Sequence, residues 1–232
     1  MEIRIDPRLK GYLELREKAL KERDAEALYQ LAQIHARMKG KKNEKKAYEL
    51  YKSSATHGYA KARFMMGLCN EKGIGVKQSL PMAIIWYIRA EISAASDIAD
   101  RSDTADEMDR ERLHIFREEP GFATELDDAA YERPDILESG TIEEIAIAAE
   151  QGNPYAQNCL GHNYCLGTNG LEKGLEAAEY WHRMSAEQGC EAGIHHLAQF
   201  YKRVERYDAA VEWYRKYAEL RIKQREAYFG GS

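Results

Sequence analysis

Residues 60–91 read AKARFMMGLCNEKGIGVKQSLPMAIIWYIRAE, and the spacing inside this stretch decides the fold. Its second half sets Ala83 ahead of a bulky pair at +3 and +4, Trp86 and Tyr87, and of Ala90 and Glu91 at +7 and +8. Positions three and four apart share one face of an α-helix, so the set predicts a helix with a single packed face. The same register returns at Ala47/Leu50/Tyr51/Ser54/Ala55, Ala178/Trp181/His182/Ser185/Ala186 and Ala210/Trp213/Tyr214/Tyr217/Ala218. The leading alanines are spaced by 36, 95 and 32 residues. A period in the thirties is that of a helical solenoid, whose helix pairs cannot bury their apolar faces alone.

The first half of the stretch is copied too. Ala60, Ala62, Phe64, Met66-Gly67, Asn70, Gly73 and Gly75-Val76 correspond to Ala156, Leu160-Gly161, Tyr164, Gly167 and Gly170. Weaker copies are Ala25, Ala27, Tyr29, Leu31-Ala32 and Gly40, and Ala192, Leu197-Ala198 and Tyr201. Small residues where two helices touch, followed by a glycine turn, describe the first helix of a pair (A), and the alanine register describes the second (B). Gly58, Gly152 and Gly189 then suit left-handed caps at the ends of B helices.

The combined pattern, A-x-A-x-x-x-L-G-x-x-Y-x-x-G-x-G-V followed by A-x-x-W-Y-x-x-A-A-x-x-G, resembles the Sel-one-like repeat (SLR), a relative of the tetratricopeptide repeat. GLCNEKGIGV and AAEYWHRMSAEQG carry the resemblance, which extends over roughly 24–94 and 140–222. It implies an all-α fold, a right-handed α/α superhelix (solenoid) of about five helix-pair repeats with one insertion. It also implies a scaffold for protein contacts with no conserved chemistry.

The register divides the chain into an N-terminal capping helix at 1–23, repeats 1 and 2 at 24–91, a degenerate repeat at 92–152, repeats 4 and 5 at 153–222 and a tail at 223–232. Ala83 and Thr141, which opens the next B-helix register, are 58 residues apart, so the degenerate unit carries an insertion. A helix is expected at 141–151 and another over 103–119, with loop from 121 to 140. The segment 92–140 holds 15 Asp and Glu against 5 Arg, a net charge of −10 within a chain of net −5. Such asymmetry can steer a basic partner or mask a basic face; the alternative reading is a solvated, partly mobile acidic loop.

The 232 residues suffice for one extended domain with a continuous core. No stretch approaches the roughly 18 apolar residues of a membrane span. The charged N-terminus reads as an amphipathic helix from Asp6-Pro7, without a signal core, so the expected compartment is the cytoplasm. Basic residues are scattered, with no aromatic-interleaved stripe, and nucleic acid is not an expected partner. Secreted relatives in the family carry paired cysteines in each repeat. Cys69, Cys159, Cys165 and Cys190 do not recur at a paired spacing, and reduced thiols are expected.

Solenoids of helix pairs bind through the face lined by A helices. Offsets +5, +8 and +9 from the start of each A helix are expected to line that groove. They are Gln30, Gln33, Ile34; Met65, Leu68, Cys69; Cys159, His162, Asn163; and His196, Gln199, Phe200. Amides to meet a partner's backbone, beside apolar contacts, suit an extended peptide or a helix. Trp86, Trp181 and Trp213 share one B-helix slot and are assigned to inter-repeat packing. The competing reading, a hydrolase or metal-binding protein, would draw on Cys159, His162 and His196. Three-residue steps drift around a helix, so Cys159 and Cys165 do not converge on one ion, and no metal or cofactor is expected. Self-association through 206–227, with Tyr217, Leu220 and Ile222, is a third possibility.

Overall fold

A computed structural model describes residues 7–99 and 141–230, and over these it is an all-α solenoid of stacked helix pairs. The helix predicted at 103–119 and the loop at 121–140 lie outside the described residues. The chain divides into two compact units: residues up to 98 together with 218 onward, and residues 99–217.

Unit 1 begins with α1 (Pro7–Lys21), α2 (Ala25–Arg37), α3 (Lys41–Thr56), α4 (Ala60–Lys72) and α5 (Leu80–Ala99). Helix α1 packs on α2, with Ala19 buried and Tyr12 and Leu15 against the core of the first repeat. Unit 2 contains α6 (Ile142–Glu150), α7 (Pro154–Leu166), α8 (Leu175–Glu187) and α9 (Glu191–Arg203). Helix α10 (Tyr207–Gly230) begins in unit 2, and its residues from Ala218 belong to unit 1. It runs through the segment read from sequence as a tail, because no glycine or proline interrupts 223–229.

Local signals start the helices. Asp24 Oδ1 accepts from the Ala27 amide at 2.7 Å, and Asn153 Oδ1 accepts from Tyr155 and Ala156 at 3.0 and 3.1 Å. Thr141 and Glu144 form a reciprocal capping box at the start of α6, which falls within 141–151. Gly58, Gly152 and Gly189 take φ of 88°, 92° and 79° at the B-helix ends.

Within a pair, one slot sets how closely the helices approach. A Cβ on Gly67 would lie 2.6 and 2.9 Å from Cδ1 and Cζ of Tyr87, and one on Gly161 would lie 2.9 Å from His182 Nδ1. The other repeats place Ala32 and Ala198 there, both fully buried. The turn at 73–76 seats Gly75, with φ +71°, where a Cβ would stand 2.5 Å from the Glu44 carbonyl oxygen of the preceding repeat. That turn therefore packs against backbone, which excludes a side chain at this position.

Repeats are joined by tryptophan packing and by satisfied carbonyls. Trp86 enters the core cluster built mainly from α2 and α3, and Trp181 packs against Ile145, Ala149, Ala156 and Leu160. Arg63 Nε donates to the Ala55 carbonyl at 3.0 Å, and Gln157 Nε2 donates to the equivalent Ala149 carbonyl at 3.0 Å. Within each pair, the equivalent buried Ser54 and Ser185 of the B helices donate to the carbonyls of Ala25 and Pro154 at the A-helix starts, at 2.5 and 2.6 Å. A C-terminal carbonyl left unmet in such a junction costs on the order of 1–3 kcal/mol, so these polar side chains belong to the repeat's architecture.

Candidate interaction surfaces

An α-helix turns about 100° per residue, so the A-helix offsets +1, +8 and +5 fall on one stripe, and +9 falls about 20° from +2, the core alanine slot. The burial of the twelve residues expected to line the groove follows that division except at Ile34, which is at +9 and half-buried. Gln30 is exposed, and Gln33, Ile34, Met65, Leu68, Cys159, His162, His196 and Gln199 are half-buried. Cys69, Asn163 and Phe200, all at +9, are buried at 3, 4 and 4 % exposure and turn to the interior. They offer no side chain to a ligand, which corrects the expectation for that slot. Burial also pushes the Cys69 thiol up to about 11. Asn163 instead holds the turn, its Oδ1 accepting from Thr168 and Asn169 at 2.8 and 2.7 Å.

In unit 1 the stripe is flanked by aromatics. Tyr29 packs against Tyr51 and Tyr59, with ring centroids 5.7 and 5.2 Å apart, and its hydroxyl accepts from Gln33 at 2.9 Å. Lys61, at offset +1, lies between Met65 and Leu68 on the helical wheel. Its ammonium meets Glu226 of α10 at 2.5 Å. Sequence reasoning passed over Lys61, although its offset placed it on the stripe.

In unit 2 the same positions carry imidazoles. Phe64 on α4 packs on Tyr87 of α5 with centroids 5.4 Å apart, whereas the equivalent pair on α7 and α8 is Asn158 and His182. Asn158 Oδ1 lies 3.0 Å from Nδ1 of His182 and 3.0 Å from Nδ1 of His196. An amide oxygen only accepts, so both rings donate from Nδ1. His162 stands with its centroid 5.8 Å from that of His196, and His195 stacks on Tyr217 at 4.8 Å. Burial first, then the neighbouring His196, His162 and Arg203, hold the His182 pKa well below the usual imidazole range, so this ring is neutral. Its departure from the slot that Tyr51, Tyr87 and Tyr214 fill in the other repeats is the signal the sequence carries.

Cys165 is buried and accepts from Arg203, Cys190 is buried at the start of α9, and Cys159 packs beside the α6–α7 core. The four cysteines form no disulfide. No group of three His, Cys, Asp or Glu among the described residues is placed to hold a metal ion. No helix among them is long and apolar enough to cross a membrane.

The Sel1 repeat model matches residues 25–59, 60–91, 154–190 and 195–221, more than half of the chain. The protein belongs to the Sel1 repeat family. Over 68 residues it is 37% identical to Chitin synthase regulatory factor 2 of Schizosaccharomyces pombe, a match covering 28% of this chain and 13% of that relative's length. Among solved structures it is similar to a protective antigen of uropathogenic Escherichia coli strains displaying an SLR fold, at 25% identity over 88% of this chain and 40% of that one, with a TM-score of 0.32. It is also similar to a Sel1 repeat protein from Oxalobacter formigenes, at 22% identity over 97% and 83% of the two chains, with a TM-score of 0.33.

Proposed function

We propose that the protein is a non-catalytic interaction scaffold, a cytoplasmic adaptor or regulatory subunit that holds a partner protein through the A-helix stripes of its repeats. One observation carries this reading. The repeat's aromatics, glycines and buried amides are committed to packing, while the stripe leaves Gln30, Met65, Leu68, His162, His196 and Gln199 at least partly open to solvent. These side chains combine apolar area with amide and imidazole donors, the mixture found where a protein recognises a peptide or helix. The similarity to a protein named a regulatory factor fits a regulatory role.

The test compares capture of proteins from the native host by the wild-type chain and by Met65→Glu, Leu68→Glu and His196→Glu variants whose thermal melts match the wild type. A partner retained by the wild type and lost from the stripe variants supports the reading. Lys52→Glu, an exposed position on the B helix α3, is the control and should capture normally. A partner that survives all three stripe substitutions refutes the stripe as its site.

A further inference from the structure

The last turns of α10 belong to unit 1 and reach its α4 stripe at Lys61. On α10, Ala218 is buried and Arg221, Ile222, Arg225 and Phe229 are half-buried, while Glu219, Lys223, Ala227 and Tyr228 are exposed. The inward positions follow the i, i+3, i+4, i+7, i+11 spacing of one helical face. The last turns of α10 are therefore packed within unit 1 rather than projecting from it. Their polar contacts show where they lie. Glu226 Oε1 stands 2.5 Å from Lys61 Nζ, at the N-terminal end of the α4 stripe, in the same angular sector as Met65 and Leu68. The Arg225 guanidinium is stacked 5.4 Å from the Phe229 ring centroid, so the cation and the aromatic form one unit of the helix surface. The charges of Glu226 and Arg225 also act, as the smallest influences, on the phenols of Tyr29 and Tyr59 respectively.

We propose that residues 218–230 are a resident occupant of the unit 1 binding face, and that the partner this face takes is an amphipathic helix that displaces them. Such a helix carries a carboxylate opposite Lys61 and a neighbouring arginine–aromatic pair, as Glu226, Arg225 and Phe229 do in α10. The inference rests on the reading of the A-helix stripe as a binding face and names the ligand chemistry of its first half. The weak, exposed character of the Lys61–Glu226 pair, with side chains 36 and 48 % accessible, is what an exchangeable occupant requires.

The test uses the full chain and a fluorescein-labelled peptide of residues 216–230, read by polarisation. A tethered competitor at an effective concentration of about 1 mM weakens the apparent affinity of a peptide of roughly 100 μM intrinsic Kd about tenfold. A full chain carrying Arg225→Ala, Glu226→Lys and Phe229→Ala is expected to bind the wild-type peptide about tenfold more tightly than the unmodified chain does. Glu226→Lys alone, at an exposed position, gives a smaller gain and guards against a loosened chain that fails to fold. Adding Lys61→Glu to the loosened chain should remove the gain, and a peptide carrying Glu226→Lys should restore it. Equal affinity of the wild-type and loosened chains, or a gain indifferent to Lys61→Glu, overturns the proposal. So does light scattering that shows the wild-type chain as a dimer exchanging this helix, since the occupant is then a second copy. Loss of partner capture in the stripe variants together with equal peptide affinity overturns the resident helix alone. Unchanged capture in those variants is the separate failure of the scaffold reading.

Discussion

Three glycine-to-alanine substitutions test the close approach of A and B helices, because the structure gives them opposite signs. Gly11 is exposed within α1, and a Cβ there meets nothing within 4 Å. Alanine at this position removes the helix penalty of glycine, and Gly11→Ala should stabilise unit 1 by about 0.5–1 kcal/mol. The same propensity gain exists at Gly67, but the new methyl would stand 2.6 Å from Tyr87 Cδ1. Tyr87 cannot retreat: it is fully buried, packed against the tilted Phe64 ring, and its hydroxyl donates to Glu71 at 2.6 Å. Overpacking of this kind costs about 1–3 kcal/mol, so the net effect of Gly67→Ala is a loss of about 1–2 kcal/mol. At Gly193 the methyl would meet Ser185 Cβ at 2.7 Å and the Ala186 backbone nitrogen at 2.8 Å. Backbone yields less than a ring, and Gly193→Ala should be the most damaging of the three. Thermal melts followed by circular dichroism read the order, with about 2–4 °C expected per kcal/mol for a chain of this size. A double-mutant cycle sharpens the test, since Gly67→Ala should cost much less in a Tyr87→Ala background. Equal melting temperatures for the Gly67 and Gly11 variants would refute the close-approach argument.

Other perturbations reach different parts of the molecule. His182 is neutral and its folded-state pKa is depressed, so below the unfolded value the unfolded chain binds the extra proton; stability is then full above about pH 6.5 and falls by up to about 1.4 kcal/mol per pH unit on acidification. Denaturant midpoints at pH 7.5 and 5.0 should differ for the wild type and differ less for His182→Gln, and an unchanged difference would refute the assignment to this ring. The carboxylates held low among the described residues, Glu17, Asp24, Glu179 and Glu212, lose their contributions only at more acidic pH than His182 does. Cys69, with its thiol raised to about 11 by burial, should resist a thiol reagent at pH 7.5 in the native protein while half-buried Cys159 reacts, and mass spectrometry of labelled peptides distinguishes the two. Asn153→Ala removes two amide caps from α7 and should destabilise unit 2 by about 1 kcal/mol, whereas Asn153→Asp should retain most of that stability.

The sequence by itself determined the architecture. A 3.6-residue helix turns a fixed register into a fixed face, so the alanine, aromatic and glycine slots of residues 60–91 were enough to define the helix pair and place its copies. Capping residues such as Asn153 and Thr141 marked helix starts for the same local reason. Part of the proposed binding stripe was legible too. The wheel separates +5 and +8 from the core, and it also placed +9 beside the core alanine, a consequence the sequence reading overlooked for Cys69, Asn163 and Phe200. Only the tertiary structure decided which polar residues meet across helices. Asn158, His182 and His196 come from three different helices, and a hydrogen bond between positions 24 and 38 residues apart leaves no period in the chain. The destination of residues 218–230 was equally hidden, because their partner Lys61 lies far away in sequence and helix periodicity does not say which surface an amphipathic face will cover. Local geometry repeats and can be counted; the pairing of distant faces is settled by which surfaces bury each other when the chain closes.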